Sequence, residues 1–195
     1  MLEPDLAAIQ LQPADLIFTR GDSVVGTLIR SFTTEQGEKR SVVNHVAGVV
    51  HGGDLKSAII CEALHRVTVR GLWQGYADTG TELTIWRCNS LSQHAREAIA
   101  VNASGRKGQK YGYIKILFEA GDFWLTKVRG KKTRFFRRFG FIDSMPICSR
   151  LWAEEYEKVG IALGGPAREM DPDDMHDWVK QSPAWEKILP LSRIP

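Results

Sequence analysis

Three residues of this 195-residue chain have types that together could do covalent chemistry: Cys148, His45 and Glu62. Cys148 lies in Ser144-Met145-Pro146-Ile147-Cys148-Ser149-Arg150. The proline predicts a helix starting near 146, which puts the thiol in its first turn. Unpaired N–H groups and the positive dipole end of a helix favour a thiolate there, and the same N–H groups can stabilise an oxyanion. A free thiol titrates at about 8.5, so nucleophilic work near neutral pH needs such help. Cys148 also shares an apolar stripe with Trp152, Tyr156 and Val159, the pattern of a small buried core residue.

His45 opens the apolar run Val46-Ala47-Gly48-Val49-Val50. A histidine at the start of a central strand has a fixed backbone, which suits a general base, and equally suits a ring hydrogen-bonded at the strand mouth. Glu62 lies in Ile59-Ile60-Cys61-Glu62-Ala63-Leu64, on the strand expected to pair with that of His45. A carboxylate among apolar residues is seldom buried without a partner. An imidazolium across the hairpin would be one, making Glu62 the orienting member of a triad; otherwise it is an exposed acid on an edge strand. Strand parity adds a consequence: if Glu62 faces the site, Cys61 faces the opposite way and is core. Cys88, beside the Leu83-Ile85-Arg87 alternation, reads as core too. Three widely spaced cysteines form neither a disulfide framework nor a C-x-x-C zinc pair. The histidines offer no ligand set: His45 and His51 are six apart, His65 is in a turn, and His94 and His176 fall on helix surfaces. No metal and no cofactor is expected.

The elements that must position these residues are legible from periodicity. A turn over 11–15 leads into a strand at Leu16–Phe18, and Val24, Val25, Leu28, Ile29 and Phe32 predict a helix over 23–32. After a polar loop, 42–51 is β-branched on both faces, as in a strand buried on both sides. Gly52-Gly53-Asp54 is a turn signal, and 58–64 its hairpin partner, extended by Val67-Thr68-Val69. A further strand, 83–88, follows Asp78-Thr79-Gly80. From Ser92, an N-cap, the pattern becomes helical: a helix to about 103, another over 111–125, and a third from Pro146 to Val159, with Gly160 at C′. A last helix, 172–180, opens on Asp171-Pro172-Asp173-Asp174. The expectation is a single α+β domain over 1–195, strands early and helices late.

Composition sets the outer limits. With 43% hydrophobic residues the chain is not intrinsically disordered, and no apolar run nears the roughly 20 residues of a membrane-spanning helix. The acidic start Met1-Leu2-Glu3-Pro4-Asp5 lacks a basic n-region, so a cytoplasmic location is expected. The net charge of +3 is unevenly spread. Lys127, Arg129, Lys131, Lys132, Arg134, Arg137 and Arg138 stand together without an acid, leaving the other residues net −4. Phe135, Phe136 and Phe139 interleave with these cations. The stretch reads as a solvated loop with tucked phenylalanines, a patch for anionic lipid, or a nucleic-acid surface.

Taken in order, Asp15-Leu16-Ile17-Phe18, Asn44-His45-Val46-Ala47, Glu62-Ala63, Tyr111-Gly112-Tyr113 and Cys148-Ser149 resemble the motifs of the circularly permuted NlpC-type papain-like cysteine hydrolases, the YiiX/YaeF-like branch. The resemblance covers about 11–160, taken as the catalytic core. It implies a permuted papain-like fold, a small antiparallel sheet packed against helices, with the nucleophile at a helix N-terminus. It further implies Cys148 as nucleophile, His45 as base, Glu62 as orienting acid, and Tyr113 and Ser149 at the substrate. Two departures stand out: Gln109-Lys110 replaces the family's Arg/Lys-Pro, and 125–142 reads as a basic insertion able to act as a lid. The implied reaction is acyl transfer from an amide to water, with a small peptide such as a cell-wall fragment as substrate. Two alternatives accompany it. One is a lipid or thioester acyl hydrolase or acyltransferase with the same triad, favoured by the lecithin:retinol acyltransferase-like members of the superfamily. The other is a non-catalytic binding module using 127–139, with an anionic lipid or other anionic surface meeting Lys127–Arg138.

Overall fold

The computed structural model describes residues 6–21, 42–64, 66–110 and 148–194. The expected helices over 23–32 and 111–125, the basic stretch 125–142, His65 and Tyr113 lie outside the described residues.

The described strands join one antiparallel sheet. They are β1 (Leu16–Arg20), β2 (His45–His51), β3 (Ile59–Ala63), β4 (Val67–Gly71), β5 (Glu82–Cys88) and β6 (Trp185–Arg193), in spatial order β4-β3-β2-β1-β5-β6. Four α-helices accompany them among the described residues: α1 (Leu72–Tyr76), α2 (Gln93–Gly105), α3 (Cys148–Glu157) and α4 (Pro172–Gln181). The chain is thus α+β, as its patterning predicts.

Sequence explains most of these elements. β1 and β2 are interior strands, and Leu16, Ile17, Phe18, Val46, Ala47 and Val49 are all buried, so both faces are apolar. Ser92 caps α2, its hydroxyl accepting from Ala95 N at 3.2 Å. At the far end of α3, Gly160 (φ 81°) donates to Glu157 O at 3.0 Å and Ile161 N to Tyr156 O at 3.0 Å. These are the paired bonds of a Schellman stop, which needs a left-handed residue at C′. Asp171 caps α4, accepting from Asp173 N at 2.9 Å and Asp174 N at 2.8 Å.

Two features depart from expectation. Strands do not stop early: β6 is a nine-residue strand after the last helix. Its Pro190 and irregular burial hide it from pattern reading, and both suit the edge position it occupies beside β5. His176 is not on a helix surface. Pro172, Met175, His176 and Val179 form the buried stripe of α4, and the His176 ring stands edge-on to Phe18 at 5.0 Å and Trp86 at 6.1 Å.

The sheet separates two cores. On one face Leu16, Phe18, Val46 and Cys61 pack against Ile99, Leu151, Trp152 and Tyr156 from α2 and α3. On the other, Ile17, Ala47, Val49, Ile60, Ile85 and Leu189 pack with Leu72 and Tyr76 of α1. The Trp152 ring lies directly on Gly48 of β2, so a Cβ there would come within 2.4 Å of it.

Candidate active site

The hairpin of β2 and β3 sets the first pair. Ala47 stands opposite Glu62, and Gly48 opposite Cys61. His45, two residues before Ala47, therefore shares the face of Glu62, while Cys61 turns the other way. The side chains meet: His45 Nε2 is 2.9 Å from Glu62 Oε2.

Glu62 is fully buried and holds three donors. Besides His45, the Tyr76 hydroxyl donates to Oε2 at 2.7 Å and Arg70 Nε to Oε1 at 2.5 Å. Arg70 lies opposite Ile60 on β4, diagonal to Glu62 across the ladder, and its guanidinium stacks over the Tyr76 ring at 5.6 Å. Burial alone would raise the Glu62 pKa, but the bond and charge of His45, then Tyr76 and Arg70, outweigh it and hold it down to about 2. Tyr76 is pushed well above its ordinary value, by burial and by the Glu62 charge, so it stays a proton donor.

Cys148 is the first described residue of α3 and is buried against the helix-side core, and its charge and side-chain hydrogen bond act on the His45 ring. Cys148 is thus a core residue that is also a neighbour of His45. Burial pulls the His45 pKa down; the charge and bond of Cys148, followed by those of Glu62, more than reverse this and raise it to about 10. The arrangement favours the imidazolium form of His45 beside the Glu62 carboxylate.

The other cysteines differ in kind. Cys61 points into the helix-side core and donates to Ala103 O at 3.4 Å, and burial followed by the Glu62 charge raises its thiol to about 12. Cys88 is buried, 3.2 Å from the Ser90 hydroxyl.

The remaining motif residues serve the scaffold. Asp15 is buried and takes Arg87 with both oxygens, at 2.9 and 2.7 Å, plus the backbone N–H of Gln12 at 2.8 Å. Asn44 ties the end of β1 to the start of β2, donating to Gly21 O at 2.8 Å and accepting from Gly21 N at 3.3 Å. Ser149, expected at the substrate, is fully buried and donates to Met170 O at 2.6 Å, so its hydroxyl is committed within the fold. Tyr113 lies outside the described residues.

Arg70 and Tyr76 are the residues that sequence reading missed. Arg70 carried a usable signal, since alternation along Val67-Thr68-Val69-Arg70 puts it on the face of Glu62. Tyr76 carried none, because it reaches Glu62 only through the five-residue turn of α1. Among the described residues no group of three or more His, Cys, Asp or Glu side chains is arranged to hold a metal ion, and no helix is long and apolar enough to cross a membrane. Compared with known proteins, the chain matches no family model and no curated protein significantly.

Proposed function

We propose that the chain is a cysteine hydrolase of permuted papain-like design that cleaves an amide bond, in a small peptide such as a cell-wall fragment, through an acyl-enzyme. The observation that carries the reading is the hydrogen-bonded series from Glu62 through His45 to Cys148, assembled from β3, β2 and the start of α3. A buried carboxylate that both orients an imidazole and stabilises its charged form beside a thiol is the arrangement that activates a sulfur nucleophile. The five ordered motifs of the sequence support the same reading.

In the reaction so read, the Cys148 thiolate attacks the amide carbonyl carbon, forming a C–S bond and an oxyanion at the start of α3. The His45 imidazolium gives its proton to the leaving amine as the C–N bond breaks. Neutral His45 then takes a proton from water, which attacks the thioester and releases the acid, and the C–S bond breaks to restore the thiolate. Glu62 holds the ring in register and stabilises its charge throughout.

The test is the pH dependence of iodoacetamide alkylation, located by mass spectrometry, on wild type, His45→Ala and Glu62→Gln. Cys148 should react fastest, with an apparent pKa well below the ordinary value of about 8.5 that rises when His45 is removed. A Cys148 that reacts no faster than Cys61 or Cys88, and ignores both substitutions, would overturn the reading. Amide and ester substrates screened side by side then separate a peptidase from an acyl-ester hydrolase.

A further inference from the structure

The segment between α3 and α4, with the first turn of α4, is hydrogen-bonded to chain neighbours of both halves of the candidate pair. It runs back along α3, with Ala167 N donating to Glu157 Oε1 at 2.9 Å near the helix C-terminus. Leu163, Ala167 and Met170 are buried in the helix-side core. The Met170 carbonyl then accepts the Ser149 hydroxyl at 2.6 Å, one residue from Cys148. Three residues further on, Asp173 Oδ1 accepts Val42 N at 3.1 Å and Val43 N at 3.5 Å, just ahead of Asn44 and His45. Asp173 and Ser149 are both buried, so neither bond is exchanged cheaply for one to water.

These bonds join two elements that are far apart in sequence. α3 carries Cys148 and the start of β2 carries His45; Trp152 packs α3 onto β2 at Gly48, and a second link lies nearer the pair itself. A strap of four residues, Met170–Asp173, is hydrogen-bonded to both. We propose that this strap is a positioning clamp, in which Asp173 and Ser149 set the Cys148–His45 spacing on which thiol activation depends. The proposal rests on the reading of Cys148 and His45 as a nucleophile–base pair. It assigns the Ser149 hydroxyl a role at the site that does not require contact with substrate.

The experiment compares the alkylation pH profile of Cys148 in wild type, Asp173→Ala, Asp173→Asn, Ser149→Ala and Gly160→Ala, each below its own melting temperature. Gly160→Ala serves as the control, because it strains the stop of α3 without touching the strap. Loss of either anchor should raise the apparent pKa of Cys148 toward the ordinary thiol value and slow alkylation at pH 6 about tenfold or more. Asp173→Asn, which keeps an acceptor oxygen, should recover much of the wild-type profile, and Gly160→Ala should lower the melting temperature while leaving the profile alone. If Asp173→Ala does not fold, Ser149→Ala reads the same clamp from its other end. Profiles unchanged by loss of the anchors, or changed equally by Gly160→Ala, overturn the clamp while leaving the pair intact. A wild-type Cys148 with an ordinary thiol pKa instead overturns the pair itself.

Discussion

Residue by residue, the candidate site is an electrostatic argument centred on Glu62. A fully buried carboxylate would ordinarily be protonated, and only its three donors keep it charged. The sign of the resulting pH dependence follows from each shift. Glu62 is held down from 4.5 to about 2, so its stabilisation is fully present above pH 4.5 and is lost as pH falls through about 2. His45 is raised from 6.5 to about 10, so its contribution is fully present below pH 6.5 and is lost as pH rises through about 10. Thermal unfolding followed across pH should therefore show the pair contributing most between 4.5 and 6.5, and Glu62→Gln should flatten both limbs. Tyr76→Phe is the sharper probe. It leaves the His45–Glu62 bond in place and removes one donor, worth about 1–3 kcal/mol to a buried charged acceptor. Glu62 should then protonate at higher pH, and the acid limb of Cys148 alkylation should move up with it. An acid limb identical to wild type would mean that Tyr76 supports the fold alone. The sequence shows why Glu62 was found and Tyr76 was not: parity across a two-strand hairpin is readable, whereas a side chain returned by a single helical turn is not.

At the level of elements, readability tracks the strength of periodic signals. β2 and β3 announce themselves through β-branched runs and a Gly-Gly-Asp turn, and α2 through its serine cap; their pairing and capping are as the pattern predicts. The contact between elements is less visible, and Gly48 is the instructive case. Inside a strand a glycine reads as a weak point, yet here it is where the Trp152 indole lies against the backbone. Gly48→Ala would drive a Cβ to 2.4 Å from Trp152 Cζ2, forcing α3 away from β2. Overpacking of this kind costs about 1–3 kcal/mol, measurable as a lower midpoint in denaturant. Because Trp152 is one helical turn from Cys148, the same substitution should also slow Cys148 alkylation at low pH. The cost should shrink in a Trp152→Leu background, where the ring is gone. Equal costs in both backgrounds would place the strain somewhere other than that contact.

For the molecule as a whole, the site lies where the two cores meet at one end of the sheet. Cys148 belongs to the helix-side core, Tyr76 to the opposite one, and His45 at the start of β2 joins them. The far side of the sheet is completed by β6, the strand that proline and uneven burial concealed from sequence reading. Its Leu189 is fully buried in the core that also holds Tyr76, and the Leu189 carbonyl accepts the Thr84 hydroxyl at 2.8 Å. Leu189→Ala should accordingly cost about 2–5 kcal/mol, as large-to-small changes in a packed core do. Yet β6 is separated from β3 by β2, β1 and β5, a span of roughly 19 Å at the usual strand spacing of about 4.8 Å. If positioning of Cys148, His45 and Glu62 is local to the β2–β3 hairpin, α3 and the Met170–Asp173 strap, this loss of global stability should leave the alkylation profile of Cys148 untouched below the melting transition. A Leu189→Ala profile shifted as far as that of Tyr76→Phe would instead mean that the opposite core transmits strain along the sheet, and that the site is held by the whole sheet rather than by its nearest strands.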